Sequence, residues 1–145
     1  MILPRFMIHD LGFMNNTETK TKIKDFTDLN AWKEGHKLVL DIYKITKEFP
    51  KTEVFGLVSQ MQRSAVSITS NIAEGFGRQG YKEKVQFYYI SQGSLVELKN
   101  QLIIARDIGY IESNVFIKIN NQANITHQLL QGLISKTKSF INHES

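Results

Sequence analysis

The sequence predicts an all-α protein, an antiparallel up-down-up-down four-helix bundle. Three observations point there. Apolar residues recur at three- and four-residue spacing in four long stretches, the period of a helix face. The two prolines are Pro4 and Pro50, so no proline interrupts the chain after residue 50. Turn signals fall between the stretches and leave connections of about 4 to 8 residues, which makes neighbouring helices antiparallel. The 145 residues suit one domain, and 41% hydrophobic with 22% charged residues is a globular balance.

Residues 1–26 read as a flexible leader, 27–142 as the bundle and 143–145 as a tail. The opening MILPRFMIHDLGFM is apolar but interrupted by Arg5, His9 and Asp10. That makes it a poor signal peptide. Met7 and Met14 are alternative starts. The run from Asn15 to Lys24 is polar and aperiodic. No stretch approaches the roughly 18 apolar residues of a membrane span, so a cytoplasmic protein without membrane contact is expected.

Thr27 or Asp28 is placed to cap the first helix, whose stripe is Leu29, Trp32, His36, Val39, Tyr43 and Thr46. On this stripe His36 is expected to be buried and hydrogen-bonded. Pro50 biases Phe49 out of the helical region, ending the helix near Lys47 or Glu48. The second helix starts near Thr52, with Leu57, Met61, Ser64, Ile68, Ile72 and Gly75 as its stripe. Gly75, Gly77 and Gly80 end it. The third runs from about Tyr81 to Ile108, and Gly109 is placed to be its left-handed cap. Ser113 can cap the fourth, whose stripe is Val115, Ile119, Gln122, Thr126, Leu130, Leu133, Thr137 and Phe140. Gly35, Gly56, Gly93 and Gly132 are interior glycines, explained by close helix approach or by nothing more than chance.

The second and third helices carry apolar residues on more than one face. Wide core faces within one subunit are one explanation. The other is a homo-oligomer packed through Phe55, Val66, Ala73, Phe87, Ile90 and Leu98.

Several chemistries have no residues to support them. There is no Cys, hence no disulfide and no thiolate. No Glu stands three residues before any of the four His, so the di-iron pattern of helical bundles is missing and no metal site or cofactor is expected. GFGRQG (Gly75–Gly80) follows a helix rather than a strand, which makes it a turn and not a phosphate cradle. No nucleophile is paired with a base, so no enzyme is expected.

Two polar features remain. Gln60, Arg63, Ser67, Asn71 and Glu74 follow one another at spacings of three and four beside the core stripe of the second helix. They form a structural network, a solvated face or a partner-binding surface. The formal charge is +4 and the pI about 9.3. It is spread thinly, each chain segment outside the neutral first helix contributing one positive charge. Arg78, Lys82 and Lys84 at the turn between helices two and three, with Lys136 and Lys138 near the C-terminus, are candidate phosphate contacts. Ordinary solubilising charge is the alternative, and the sequence leaves open whether the two clusters share an end.

The runs DLNAWKEGHKLVLDIYKIT, EVFGLVSQMQRSAVSITSNIAEGFGR and SQGSLVELKNQL followed by RDIGYI resemble the four helix bundle protein family. That family includes proteins encoded within intervening sequences of bacterial 23S ribosomal RNA genes. The likeness spans residues 26–142, and Gln60 to Gly75 is its most specific part. It implies a small antiparallel bundle assembling as a barrel-like pentamer. A similar bundle is the accessory variability determinant of diversity-generating retroelements, which binds a reverse transcriptase and nucleic acid through a basic surface. The resemblance therefore implies a non-enzymatic scaffold contacting RNA, DNA or a ribonucleoprotein. The alternative is a protein-binding adaptor, such as a reverse transcriptase accessory factor, that touches no nucleic acid. Arg63, Ser67, Asn71 and Glu74 match the family's signature helix.

Overall fold

The computed structural model describes residues 22–142, and the expected tail together with residues 1–21 of the expected leader lies outside them. The described residues form four α-helices and no strands: α1 (Asn30–Thr46), α2 (Leu57–Gly77), α3 (Tyr81–Ile108) and α4 (Ser113–Ile141). Short 3₁₀ turns at Phe26–Asp28 and Lys51–Glu53 precede α1 and α2. α1 packs on α2 and α4, α3 packs on the same two, and the α2–α3 interface is the most extensive. The four helices thus close around one core of Leu38, Ile42, Met61, Ile68, Ile72, Leu95, Leu98, Leu102 and Leu130, all fully buried.

The start of α1 differs from expectation. Asp28 does not cap it. Its carboxylate accepts the backbone N–H groups of Lys24 and Asp25 at 2.9 and 3.0 Å, which hold it below the usual carboxylate range. Leu29 takes the cap position, and its carbonyl accepts the Lys33 N–H at 3.0 Å. The buried stripe is also rotated by one residue, to Ala31, Glu34, Gly35, Leu38, Ile42 and Thr46. Gly35 explains the rotation. A Cβ there would lie 3.2 Å from the Thr69 methyl of α2, so the missing side chain lets α2 come close on that side. His36 is consequently exposed, a correction to its expected burial, and its ring stacks on Trp32 at 4.8 Å. Glu34 is buried with its carboxylate 2.6 Å from Lys37.

α1 stops before Pro50, and the buried Phe49 ring packs on Tyr110 at 5.2 Å. α2 then begins at Leu57, five residues later than expected. Gly56, with φ −114° and ψ −115°, is outside the helical region. The Glu53 carboxylate reaches over it to accept the Leu57 N–H at 3.0 Å, satisfying one of the helix's unpaired donors. The stripe of Met61, Ser64, Ile68, Ile72 and Gly75 is buried as expected, with Ala65 added.

α3 ends as its glycine requires. Gly109 has φ +96°, its N–H bonds to Arg106 O at 3.0 Å, and Tyr110 N–H bonds to Ala105 O at 2.9 Å. These are the paired bonds of a Schellman motif. Glu112, not Ser113, is the N-cap of α4, a shift of one residue. α3 also carries the largest correction. Leu98 has 0% exposure and belongs to the core, so it cannot form part of an outer interface. Of the interior glycines, Gly35 marks a close approach and Gly56 a helix start, whereas no atom would meet a Cβ at Gly93 or Gly132.

Candidate functional site

Three surface features come together on α2, α3 and the helix ends beside them. The first is the polar seam between α2 and α3. Ser67 Oγ and Ser94 Oγ are 2.7 Å apart, and Asn71 Nδ2 donates to Ser67 O at 2.8 Å and to Ser67 Oγ at 3.0 Å. Ser91 Oγ donates to Ile68 O at 2.7 Å in the core just beneath. Ser67 is therefore half-buried and bonded to α3, and the half-buried Asn71 supports it from within α2. Gln60, Arg63 and Glu74 remain exposed along the same seam. Among the described residues Arg63 makes no ion pair.

Gly75 lets the seam close. A Cβ on it would sit 2.7 Å from Cε1 of Tyr88, nearer than real atoms approach. Tyr88 fills that space, and burial pushes its phenol up to about 12.

The second feature is an apolar outer surface. Phe55 is 96% exposed, Ile108 57%, and Ile90, Ile104 and Val66 also stand in water. On the α4 side of α3, Tyr89, Val96 and Ile103 are exposed as well. Ala73 and Phe87, from the expected interface, are half-buried. Single exposed apolar residues are ordinary, but a row along one long helix is not.

The third feature is an end of the bundle rich in cations. The Tyr81 ring packs at a tilt on Phe140, centroids 5.1 Å apart, and Lys138 Nζ donates to Tyr89 Oη at 3.2 Å. Leu29, Asn30 and Ala31 share a shallow depression with Leu133 and Lys136. The start of α1, the α2–α3 turn and the end of α4 therefore meet, and the two basic clusters left open by the sequence share one end. Lys22, Lys24, Lys33, Arg78, Lys82, Lys84, Lys136 and Lys138 gather there against Asp25, Asp28, Glu74 and Glu83. At the opposite end Lys44, Lys47, Lys51, Arg106 and Lys118 are matched by Asp41, Glu48, Glu53, Asp107 and Glu112. Thinly spread charge in the sequence becomes a polarity in the fold.

Not all of these cations are available. Lys84 points inward, donating to Phe76 O at 2.6 Å, and burial lowers its pKa. It satisfies the last carbonyls of α2, a correction to its expected role as a phosphate contact. Arg78 is held by Glu74 at 3.1 Å and Glu83 at 3.4 Å, with its guanidinium 4.6 Å from the Phe87 ring centroid. Lys82 and Lys136 are exposed, as is Lys138 beyond its contact with Tyr89.

One pairing was not anticipated. His127 is half-buried against α3, with Nδ1 2.7 Å from Lys99 Nζ. Its place next to the core position Thr126 was the only available hint. No group of three His, Asp or Glu side chains among the described residues could hold a metal ion. No described helix is long and apolar enough to cross a membrane.

The fold defines an all-α helical bundle protein. The family model of the 23S rRNA-intervening sequence protein matches residues 27–132, and the chain belongs to that family. A crystal structure of a protein of unknown function from the S23 ribosomal protein family of Bacteroides thetaiotaomicron VPI-5482 has a similar fold. It is 21% identical, with a TM-score of 0.67, and the match covers 72% of this chain and 95% of that one. No curated protein matches the chain.

Proposed function

We propose that the protein is a non-enzymatic, homo-oligomeric scaffold that assembles through the outer surface of α2 and α3 and presents its basic end to RNA or a ribonucleoprotein. The carrying observation is the number of exposed apolar side chains on and beside these helices, Phe55, Val66, Ile90, Ile104 and Ile108. Covering apolar area contributes about 25 cal/mol per Å², so a second copy would gain from burying them. The resemblance to pentameric bundles makes a ring of five the expected assembly.

The subunit in this reading is an up-down-up-down bundle. Supporting registers are Lys84 with Phe76, Ser91 with Ile68, and Ser67 with Ser94, in which residue numbers rise on α3 as they fall on α2. Lys138 with Tyr89 and His127 with Lys99 give the same sense for α3 and α4.

Light scattering tests the assembly. A mass several times 16.7 kDa is expected, and a stable mass of one chain overturns it. Electrophoresis of structured RNA at 50 and 200 mM salt tests the basic end, since phosphate contacts predict a steep loss with salt. No shift at low salt rejects RNA contact. The engaged state of Arg78 and Lys84 favours a second reading, a protein adaptor such as an accessory factor of a reverse transcriptase. A reverse transcriptase gene with variable repeats beside this one would support it, and a ribosomal RNA operon would support the first.

A further inference from the structure

Lys99 and His127 meet across the α3–α4 seam, Nζ to Nδ1 2.7 Å. Both groups gain a proton to become cations, yet no carboxylate forms an ion pair with either among the described residues. The contact needs one partner to accept. Either the ammonium donates to a neutral imidazole, or the imidazole donates to a free amine. Two cations at this separation would repel. The other ring nitrogen, Nε2, is buried without a partner among the described residues, so the ring finds no relief there.

The surrounding charges are engaged elsewhere. On α3, Glu97 accepts Gln101 Nε2 at 3.4 Å, and Arg106 pairs with Asp107 at 2.9 Å. On α4, Lys138 is taken up by Tyr89. α1 packs on the Gln122 and Thr126 side of α4, and its Glu34 is paired with Lys37. Burial lowers the pKa of Lys99, and burial together with the Lys99 charge lowers that of His127. Lys99 is still half-exposed, and the exposed Val96 and Ile103 flank it along α3.

We propose that Lys99 is a covalent modification site whose amine, set against His127, is acylated by small activated acyl donors, namely acyl phosphates or thioesters. The free amine's lone pair attacks the acyl carbonyl carbon and a C–N bond forms. The bond to phosphate or thiolate breaks, and the leaving group departs with its electron pair. The displaced Nζ proton passes to His127 Nδ1 and on to water. Acylation removes one positive charge and replaces the ammonium–imidazole contact that joins α3 to α4. The site is independent of the proposed assembly, because Lys99 faces α4 whereas Ile90 and Ile108 lie toward α2.

The test is a time course of the native chain with acetyl phosphate at pH 7 and pH 8, read lysine by lysine by peptide mass spectrometry. Lys99 should be acetylated several-fold faster than the exposed Lys47 and Lys82, because burial favours its neutral amine and His127 Nδ1 stands 2.7 Å away to take the proton. His127→Gln should bring Lys99 down to the reference lysines while their own rates stay unchanged. A native Lys99 no faster than Lys47 and Lys82 overturns the proposal, whatever the variant does.

Discussion

At the scale of single residues, Gly75 and His127 carry the sharpest consequences. The Tyr88 ring occupies the space where a Gly75 side chain would go, 2.7 Å from the Cβ position. Tyr88 is anchored in the core and Gly75 sits within α2, so neither yields cheaply. Gly75→Ala should destabilise the fold by about 1–3 kcal/mol, the usual cost of overpacking, measurable by urea unfolding. Gly93→Ala should do the reverse by up to about 1 kcal/mol, because no atom meets a Cβ there and alanine favours helix. The sequence placed Gly75 on the core stripe at the end of α2 and Gly93 among the interior glycines, but only the neighbouring helix shows what a side chain would meet at each. His127 gives a pH dependence. Its pKa in the fold is lowered from 6.5 by burial and by Lys99, so the unfolded chain binds its proton first as pH falls. The neutral ring's contribution is complete above about pH 6.5 and declines below it until the folded value is passed. Urea midpoints should therefore drop between pH 7 and pH 5, and this component should vanish in His127→Gln.

At the scale of elements, each helix shows why its pattern was or was not legible. The ends of α3 were readable because Gly80 and Gly109 bracket it, and Gly109 adopts the one positive φ among the described residues. The phase of α1 was not. Leu38, Val39, Leu40, Ile42, Tyr43 and Ile45 are apolar almost without interruption, so two adjacent stripes fit the helical period equally well. Gly35 and the short Ala31 decide between them through contact with α2 and α4, which no local pattern encodes. The start of α2 was misread because Thr52 and Glu53 look like a first turn. Glu53 acts instead from four residues away, accepting the Leu57 N–H. Glu53→Ala should cost about 1 kcal/mol, as loss of an N-terminal cap does, and should fray the start of α2 in hydrogen exchange. On α3 the excess of apolar residues was plain, but its division was not: Leu98 went inward and Ile104 outward. Ile104→Glu should leave helix content unchanged and shift the scattering mass toward a single chain. Leu98→Ala should instead cost about 2–5 kcal/mol of stability, as core truncations do.

At the scale of the whole molecule, charge is the property that folding changes most. Summed by segment, the chain looks evenly and weakly basic. The bundle brings the start of α1, the α2–α3 turn and the end of α4 together and gathers their lysines at one end. Of the candidate seam, the spacing of Gln60, Arg63, Ser67, Asn71 and Glu74 was legible, and so was its place beside the core. Which of them bind α3 was not, because Ser94 lies 27 residues from its partner Ser67. If RNA meets the basic end, Lys82→Glu with Lys136→Glu should weaken binding and flatten its salt dependence by about one unit of slope for each phosphate left without a lysine. The same pair of changes at Lys47 and Lys51, at the balanced end, should leave the salt slope as it is.

The stack of Trp32 on His36 at that basic end has a practical consequence. The chain holds a single tryptophan, with Phe26 edge-on to it at 5.5 Å and the His36 ring parallel to it at 4.8 Å. Its fluorescence thus arises from one indole beside the surface where a polyanion would sit. Emission intensity and wavelength can report occupancy there in unlabelled protein, and the same signal will register any loosening of the first turn of α1.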